Sequence, residues 1–182
     1  MNILYPHQHG FQSGHSTSMV LLDMQDKISL AIDANEFSVG VFFDLAEAFD
    51  TVDHCILLKR LENYGIRGLS LKRFNSYLDD RQQRVLCNGA LSKVKLIQCG
   101  VPQGSILLFL LYINDISNSS PLLHFILFAD DTNVLFSHKS LTSLSITVNS
   151  ELITISDWFA ANKLSLNLKK IILCSFDLTA KL

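Results

Sequence analysis

Residues 122–138 read LLHFILFADDTNVLFSH. Two runs of β-forming residues flank Asp130 and Asp131, which places the pair at or beside the tip of a tight hairpin with hydrophobic arms. Asp is a favoured turn residue, so an Asp-Asp tip is also what a solvated turn looks like. A surface turn, however, has no need of apolar shoulders such as Phe128 and Ala129. A second stretch, FSVGVFFDL at 37–45, is apolar in both alternating registers, with Val39, Val41 and Phe43 on one face and Gly40 and Phe42 on the other. Such a strand belongs in the centre of a sheet covered on both sides. It closes on a third carboxylate, Asp44.

Elsewhere the spacing is mostly helical. Residues 19–35 bring Val20, Met24, Ile28 and Ala31 to one face, with Ser16 or Thr17 as N-cap. HCILLKRLENYG (54–65) is a helix capped by Asp53 and stopped by Gly65, and a shorter one, LSLKRFNSYL, follows Gly68. From Arg81 to Val101 two β-type runs surround Asn88-Gly89, a strong hairpin signal. ILLFLLYINDI (106–116) reads as a buried helix started by Ser105, and residues 141–161 as a long amphipathic one. One or two strands close the chain in LSLNLKKIILCSFDL (164–178). The order predicts an α+β fold, helices layered on a mainly antiparallel sheet.

At 182 residues, 48% apolar and with only 3 prolines, the chain is long enough for one globular domain, or one and part of a second. Its net charge of −2 argues against a surface that grips phosphate backbones through broad basic electrostatics. Cys55, Cys87, Cys99 and Cys174 form no C-x-x-C pair and are expected to be buried free thiols. The start MNILYPHQHG has no signal-peptide pattern, and the apolar run 106–113 is far short of the roughly 20 residues that span a bilayer. These features predict no membrane partner and an intracellular location, nuclear or cytoplasmic.

Asp44, Asp130 and Asp131 stand at strand ends beside turns, where sites are commonly built. Carboxylates crowded in a partly desolvated cleft repel one another unless a cation neutralises them. Hard oxygen ligands without a Cys or His cluster favour Mg²⁺ or Mn²⁺, and two such ions about 4 Å apart can serve a phosphoryl transfer. Phe49 could floor a pocket beside the metals or be an ordinary core ring. CGVPQGS (99–105) offers Gly100 and Gly104 for close backbone approach and the Gln103 amide, or is a plain β-to-α connection. Lys169 and Lys170 could neutralise phosphate or simply face solvent. His7, His9 and His15, in a mobile-looking end, have no fixed metal geometry and receive no role.

Together HGFQSGHST, VGVFFDLAEAFDTVDH, LENYGIRG, SYLDDRQQRV, CGVPQGSI, LYINDI, FILFADDTN and SDWFAANKLSLNLKK resemble the reverse transcriptase domain of non-LTR retrotransposons of the jockey-like, LINE type. The likeness runs in order over roughly residues 8 to 176. It implies a polymerase palm with partial fingers and no thumb: residues 1–36 a remnant of fingers and connecting helix, and 37–176 mostly palm with a fingers-type insertion near 65–98. The implied activity is RNA-directed DNA polymerisation, with an RNA template, a DNA primer and deoxynucleoside triphosphates as partners. In that likeness Asp44, Asp130 and the Leu45 carbonyl hold two Mg²⁺ ions (or Mn²⁺), and Asp131 supports the catalytic pair. Phe49 matches the steric gate against a ribose 2′-hydroxyl, a discrimination by clash. Gln103 and Gly104 match the loop that contacts nucleotide and template, Lys170 the lysine near the triphosphate, and Arg81 a nucleic-acid contact.

Three departures stand out. Gly-Pro and one more residue are missing after Leu107, and three residues are about 300° of helix, so the following face would turn by about 60° unless the helix start absorbs it. Gln12 replaces a usual arginine, and Glu47 a common lysine. Most of the fingers would lie before Met1 and the thumb beyond Leu182. The isolated chain is therefore expected to be weak or inactive as a polymerase, and the alternative reading is a catalytically silent retrotransposon remnant that binds nucleic acid or protein. A phospho-receiver module, which also uses an acidic pair and a lone Asp, needs the reverse order of those residues and an alternating parallel β-α pattern that is absent here.

Overall fold

A computed structural model describes residues 3–102 and 104–177. Its centre is β1 (Phe37–Phe43), which pairs antiparallel with β8 (Asp131–His138) on one side and β10 (Ile172–Phe176) on the other. β7 (His124–Phe128) completes a four-stranded antiparallel sheet in the order β10-β1-β8-β7. The two-faced apolar pattern of β1 is explained by helices on both sides of this sheet. Val39, Val41, Phe43, Phe125, Leu127 and Val134 share the main core with residues of α2 (His54–Asn63), α4 (Ile106–Ile113) and α5 (Leu141–Ala161). On the opposite face Ile126 and Leu135 pack against Val20 and Met24 of α1 (Thr17–Asp33).

Several boundaries follow from local chemistry. Asp53 caps α2 by accepting from the Ile56 N–H at 2.9 Å, and Gly65, at φ +88°, turns the chain after it. α1 ends two residues earlier than its periodicity suggests, because Asn35 takes a left-handed φ of +56° and the Glu36 N–H returns to the Ala31 carbonyl. α3 (Gly68–Leu78) precedes an exposed arm in which β3 (Gln82–Gln83) pairs with β6 (Lys95–Leu96), and β4 (Leu86–Cys87) with β5 (Ala90–Leu91) across the Asn88-Gly89 turn. α4 buries every residue from Leu108 to Ile113. A helix apolar all round has no polar face to misplace, so the turned face expected after Leu107 would expose no charge; just before it the Ser105 N–H donates to the Pro102 carbonyl at 2.9 Å.

Two expectations are corrected. Cys55, Cys87 and Cys99 are exposed and Cys174 is half-buried. Composition tells what a thiol tolerates, but Cys55 lies off the inward Leu57/Leu61 stripe, and Cys87 belongs to the exposed arm. The N-terminal stretch is also docked. The His9 N–H donates to the Leu127 carbonyl and the Leu127 N–H to the His7 carbonyl, each at 2.8 Å, so residues 7–9 extend the sheet beyond β7 by a short parallel bridge at Gln8. Among the described residues, no helix is long and apolar enough to cross a membrane.

Candidate active site

The sheet register decides where the acids meet. Phe43 lies opposite Thr132 and Phe128 opposite Asp131, so Asp44, one residue past β1, emerges at the same end of the sheet as the Asp130-Asp131 turn. Asp131 feels partial desolvation and the negative charges of Asp130 and Asp44, which raise its pKa against the opposing pull of Lys170. Asp44 has company on its other side. The Asn167 side-chain amide donates to its Oδ2 at 3.0 Å, and the exposed Lys170 ammonium lies 3.3 Å from Oδ1 and 3.2 Å from Oδ2. Both partners come from the turn between β9 (Ser165–Leu166) and β10, which Lys169 also occupies.

β9 pairs with β2 (Leu45–Ala46), and the Asn167 N–H donates to the Asp44 carbonyl at 2.8 Å. This makes Leu45 and Leu166 a non-hydrogen-bonded pair, so the Leu45 carbonyl is directed away from β9. The three carboxylates and the Leu45 carbonyl are all oxygen donors near one end of the sheet, and burial with the Asp130 and Asp44 charges raises the Asp131 pKa. Both properties fit hard divalent cations.

The loop 99–104 gathers a second set of residues. The Val101 N–H donates to the Phe49 carbonyl at 2.8 Å and the Gly100 N–H to the Val52 carbonyl at 2.7 Å. Gly100 has φ +87°, and a Cβ there would fall 2.7 Å from the Asp50 carbonyl oxygen, so this contact requires glycine. Phe49 is half-buried and stacks on Phe109, with ring centroids 4.6 Å apart. It is thus supported by the core as well as placed by the loop. Arg81 donates to the Gly100 carbonyl at 3.3 Å and lines a cleft of about 520 Å³ with Asp50, Cys99 and Pro102. Gly104, at φ +94°, is exposed with open space around its Cα, and Gln103 lies outside the described residues. Glu47 is exposed in the turn after β2, and Gln12 hydrogen-bonds the Gln8 carbonyl.

Two positioning residues had escaped the sequence. Gln8 is fully buried and its Oε1 accepts from the Gly10 N–H at 2.8 Å and the Ala129 N–H at 3.0 Å. Ala129 has φ +57°, an uncommon conformation that a hydrogen bond to its N–H helps to hold. A Cβ on Gly10 would lie 2.1 Å from the Ala129 nitrogen. The N-terminal segment therefore braces the turn that presents Asp130 and Asp131. The only available signal was HGFQSGHST, whose Gly10 required close backbone approach.

An antiparallel sheet backed by helices, with acids at the ends of its first strand and central hairpin, is the palm fold of a nucleic-acid polymerase. The same fold is found in telomerase from Candida tropicalis, at a TM-score of 0.63 and 11% identity over 91% of this chain and 33% of that one. Candida albicans telomerase in complex with a TWJ fragment of telomeric RNA matches at a TM-score of 0.61 and 15% identity, over 88% of this chain and 30% of that one. Residues 1–179 match the reverse transcriptase (RNA-dependent DNA polymerase) family, and the chain belongs to that family. It is 30% identical over 192 aligned positions to the probable RNA-directed DNA polymerase from transposon BS of Drosophila melanogaster, covering 97% of this chain and 20% of the relative. The RNA-directed DNA polymerase from mobile element jockey of the same species is also 30% identical, over 90% of this chain and 19% of its own. The chain thus spans about a fifth of the length of these relatives.

Proposed function

We propose that this chain forms the palm of an RNA-directed DNA polymerase that adds deoxynucleotides to a primer 3′-hydroxyl on an RNA template. Family membership supports the reading, and the single observation that carries it is the convergence of Asp44, Asp130 and Asp131 at one sheet end beside Lys170. Residues 37–176 are palm, with a fingers-type insertion near 65–98, and residues 1–36 are the connecting helix and a remnant of the fingers. Asp44, Asp130 and the Leu45 carbonyl would hold two Mg²⁺ or Mn²⁺ ions, which when bound supply activation of the attacking hydroxyl and neutralisation of the triphosphate.

The remaining roles belong to the chain itself. Asp131 keeps negative charge beside the catalytic pair. Lys170, exposed and paired with Asp44, is free to turn its ammonium to an arriving triphosphate and to hold at Nζ a proton for the leaving pyrophosphate. Phe49, stiffened by its stack on Phe109, excludes a ribose 2′-hydroxyl. Gln103 and Gly104 present backbone and amide to nucleotide and template, and Arg81 contacts nucleic acid.

Primer extension on an RNA template tests the reading, using the chain alone and joined to its natural flanking sequence. Mg²⁺-dependent synthesis should appear in at least the longer form and be abolished by Asp130→Asn, while Phe49→Ala should admit ribonucleotides. Synthesis that survives Asp130→Asn, or its absence in both forms when folded, would refute the proposal.

A further inference from the structure

The histidines of the N-terminal segment meet an acid on α1. His7 Nδ1 lies 2.6 Å from Asp23 Oδ2, His9 Nε2 lies 3.5 Å from the same oxygen, and His124 Nε2, from β7, lies 3.0 Å from Asp23 Oδ1. The ligand atoms of His7, His9 and Asp23 all fall within 4.8 Å of one another. His9 is only 6% exposed, and its Nε2 makes no hydrogen bond. Its other nitrogen, Nδ1, is 3.2 Å from His15 Nδ1, a contact that needs one proton between the rings. With His9 as the donor, its Nε2 presents a buried lone pair toward a carboxylate oxygen. In that tautomer two acceptors face each other across 3.5 Å and call for a cation between them.

We propose that His7 Nδ1, His9 Nε2 and Asp23 Oδ2 form a site for a borderline first-row divalent ion, Zn²⁺ above all, separate from the acid cluster at the sheet end. Two imidazoles and one carboxylate are a donor set that suits zinc and disfavours Mg²⁺. Tetrahedral ligands on bonds of about 2.0–2.1 Å stand roughly 3.3 Å apart, close to the His9 to Asp23 separation. The ion would replace the shared proton between His7 and Asp23 and draw those atoms apart to the same spacing. His124, holding Asp23 Oδ1, orients the carboxylate, and His15 sets the His9 tautomer; these are the partners that metal ligands ordinarily require. The fourth position is left to water. A bound ion would tie residues 7–9, which brace the Ala129 turn, to α1.

The site is tested on the 182-residue chain, stripped with chelator and kept in saturating Mg²⁺ with a phosphine reductant. Zn²⁺ titration by calorimetry should show one saturable equivalent, and Co²⁺ should give visible bands of a tetrahedral or five-coordinate nitrogen-oxygen site without a thiolate charge-transfer band. Zn²⁺ should also raise the thermal midpoint. His9→Asn and the half-exposed His7→Gln should each weaken binding at least tenfold, while Asp130→Asn should leave it unchanged. His7→Gln keeps the test decisive if His9→Asn does not fold. No saturable uptake by the folded chain, affinity unchanged in His7→Gln, or a thiolate band would each overturn the proposal.

Discussion

At the tip of the β7–β8 hairpin and along its outer edge, two aspartates meet opposite company. Asp131 faces Asp130 and Asp44, and partial desolvation with those charges raises its pKa. Burial would also raise that of Asp23, but hydrogen bonds from His7 and His124, with the charge of the same two rings, outweigh it and lower the pKa. The same side chain is thus reluctant to ionise in one place and eager in the other. The tip sets three carboxylates against the exposed Lys170 ammonium and offers hard oxygen atoms as ligands; the edge offers nitrogen donors around a ready carboxylate. Each place calls for a cation, but of different hardness.

The sharpest way to break this comparison is to neutralise one member of each set. Asp130→Asn should abolish detectable polymerase activity, a loss beyond the roughly 10²–10³-fold scale of removing one preorganised electrostatic group, while its thermal midpoint holds or rises. A fall in that midpoint would mean that the acids at the tip serve the fold. Next in size, Gly10→Ala drives a Cβ into the Ala129 backbone and should cost about 1–3 kcal/mol in denaturant unfolding, with loss of activity although residue 10 touches no reacting atom. Unchanged stability would show that the N-terminal segment does not brace the turn.

The two aspartates themselves should then show opposite pH dependence in the metal-free chain. Asp23→Asn should destabilise by about 1–3 kcal/mol at neutral pH, since it leaves imidazole donors without a charged partner. A lowered folded pKa gives stability that is present above the ordinary value of 3.8 and lost as pH falls through the folded value, so this difference should narrow as pH drops below 3.8. Asp131→Asn should have the smallest effect, and with the other sign. A raised folded pKa destabilises the native state once pH exceeds it and costs nothing below 3.8, so the variant should be slightly more stable than the parent at neutral pH and equal to it in acid. Unfolding curves at pH 7 and pH 3 check both, and matching signs would dissolve the contrast.

The acid cluster was legible because its signals are local. A strand apolar in both registers ending in Asp44, and an Asp-Asp turn between apolar arms, are properties of stretches under twenty residues long, and antiparallel pairing brings their ends together. The resemblance supplied roles for Leu45, Phe49, Arg81, Gly104 and Lys170 that periodicity alone left open. The edge cluster was illegible for the converse reason. His7, His9, Asp23 and His124 come from three separate segments, and His124 read merely as an interruption of an apolar run. The thiols failed likewise, since residue type does not reveal which face of α2, or which arm, a Cys occupies.

By itself, then, the sequence determined the elements, the two-sided burial of β1 and the identity of the acids, because helix caps, strand alternation and turn chemistry act over a few residues. Only the tertiary structure decided that residues 7–10 are docked beside β7 and hold Ala129 in a left-handed conformation. It also decided that Asp23 sits among imidazoles. Those outcomes depend on contacts between separate segments, 121 positions apart for Gln8 and Ala129 and 101 for Asp23 and His124, whose desolvation and pairing set the charge at each site.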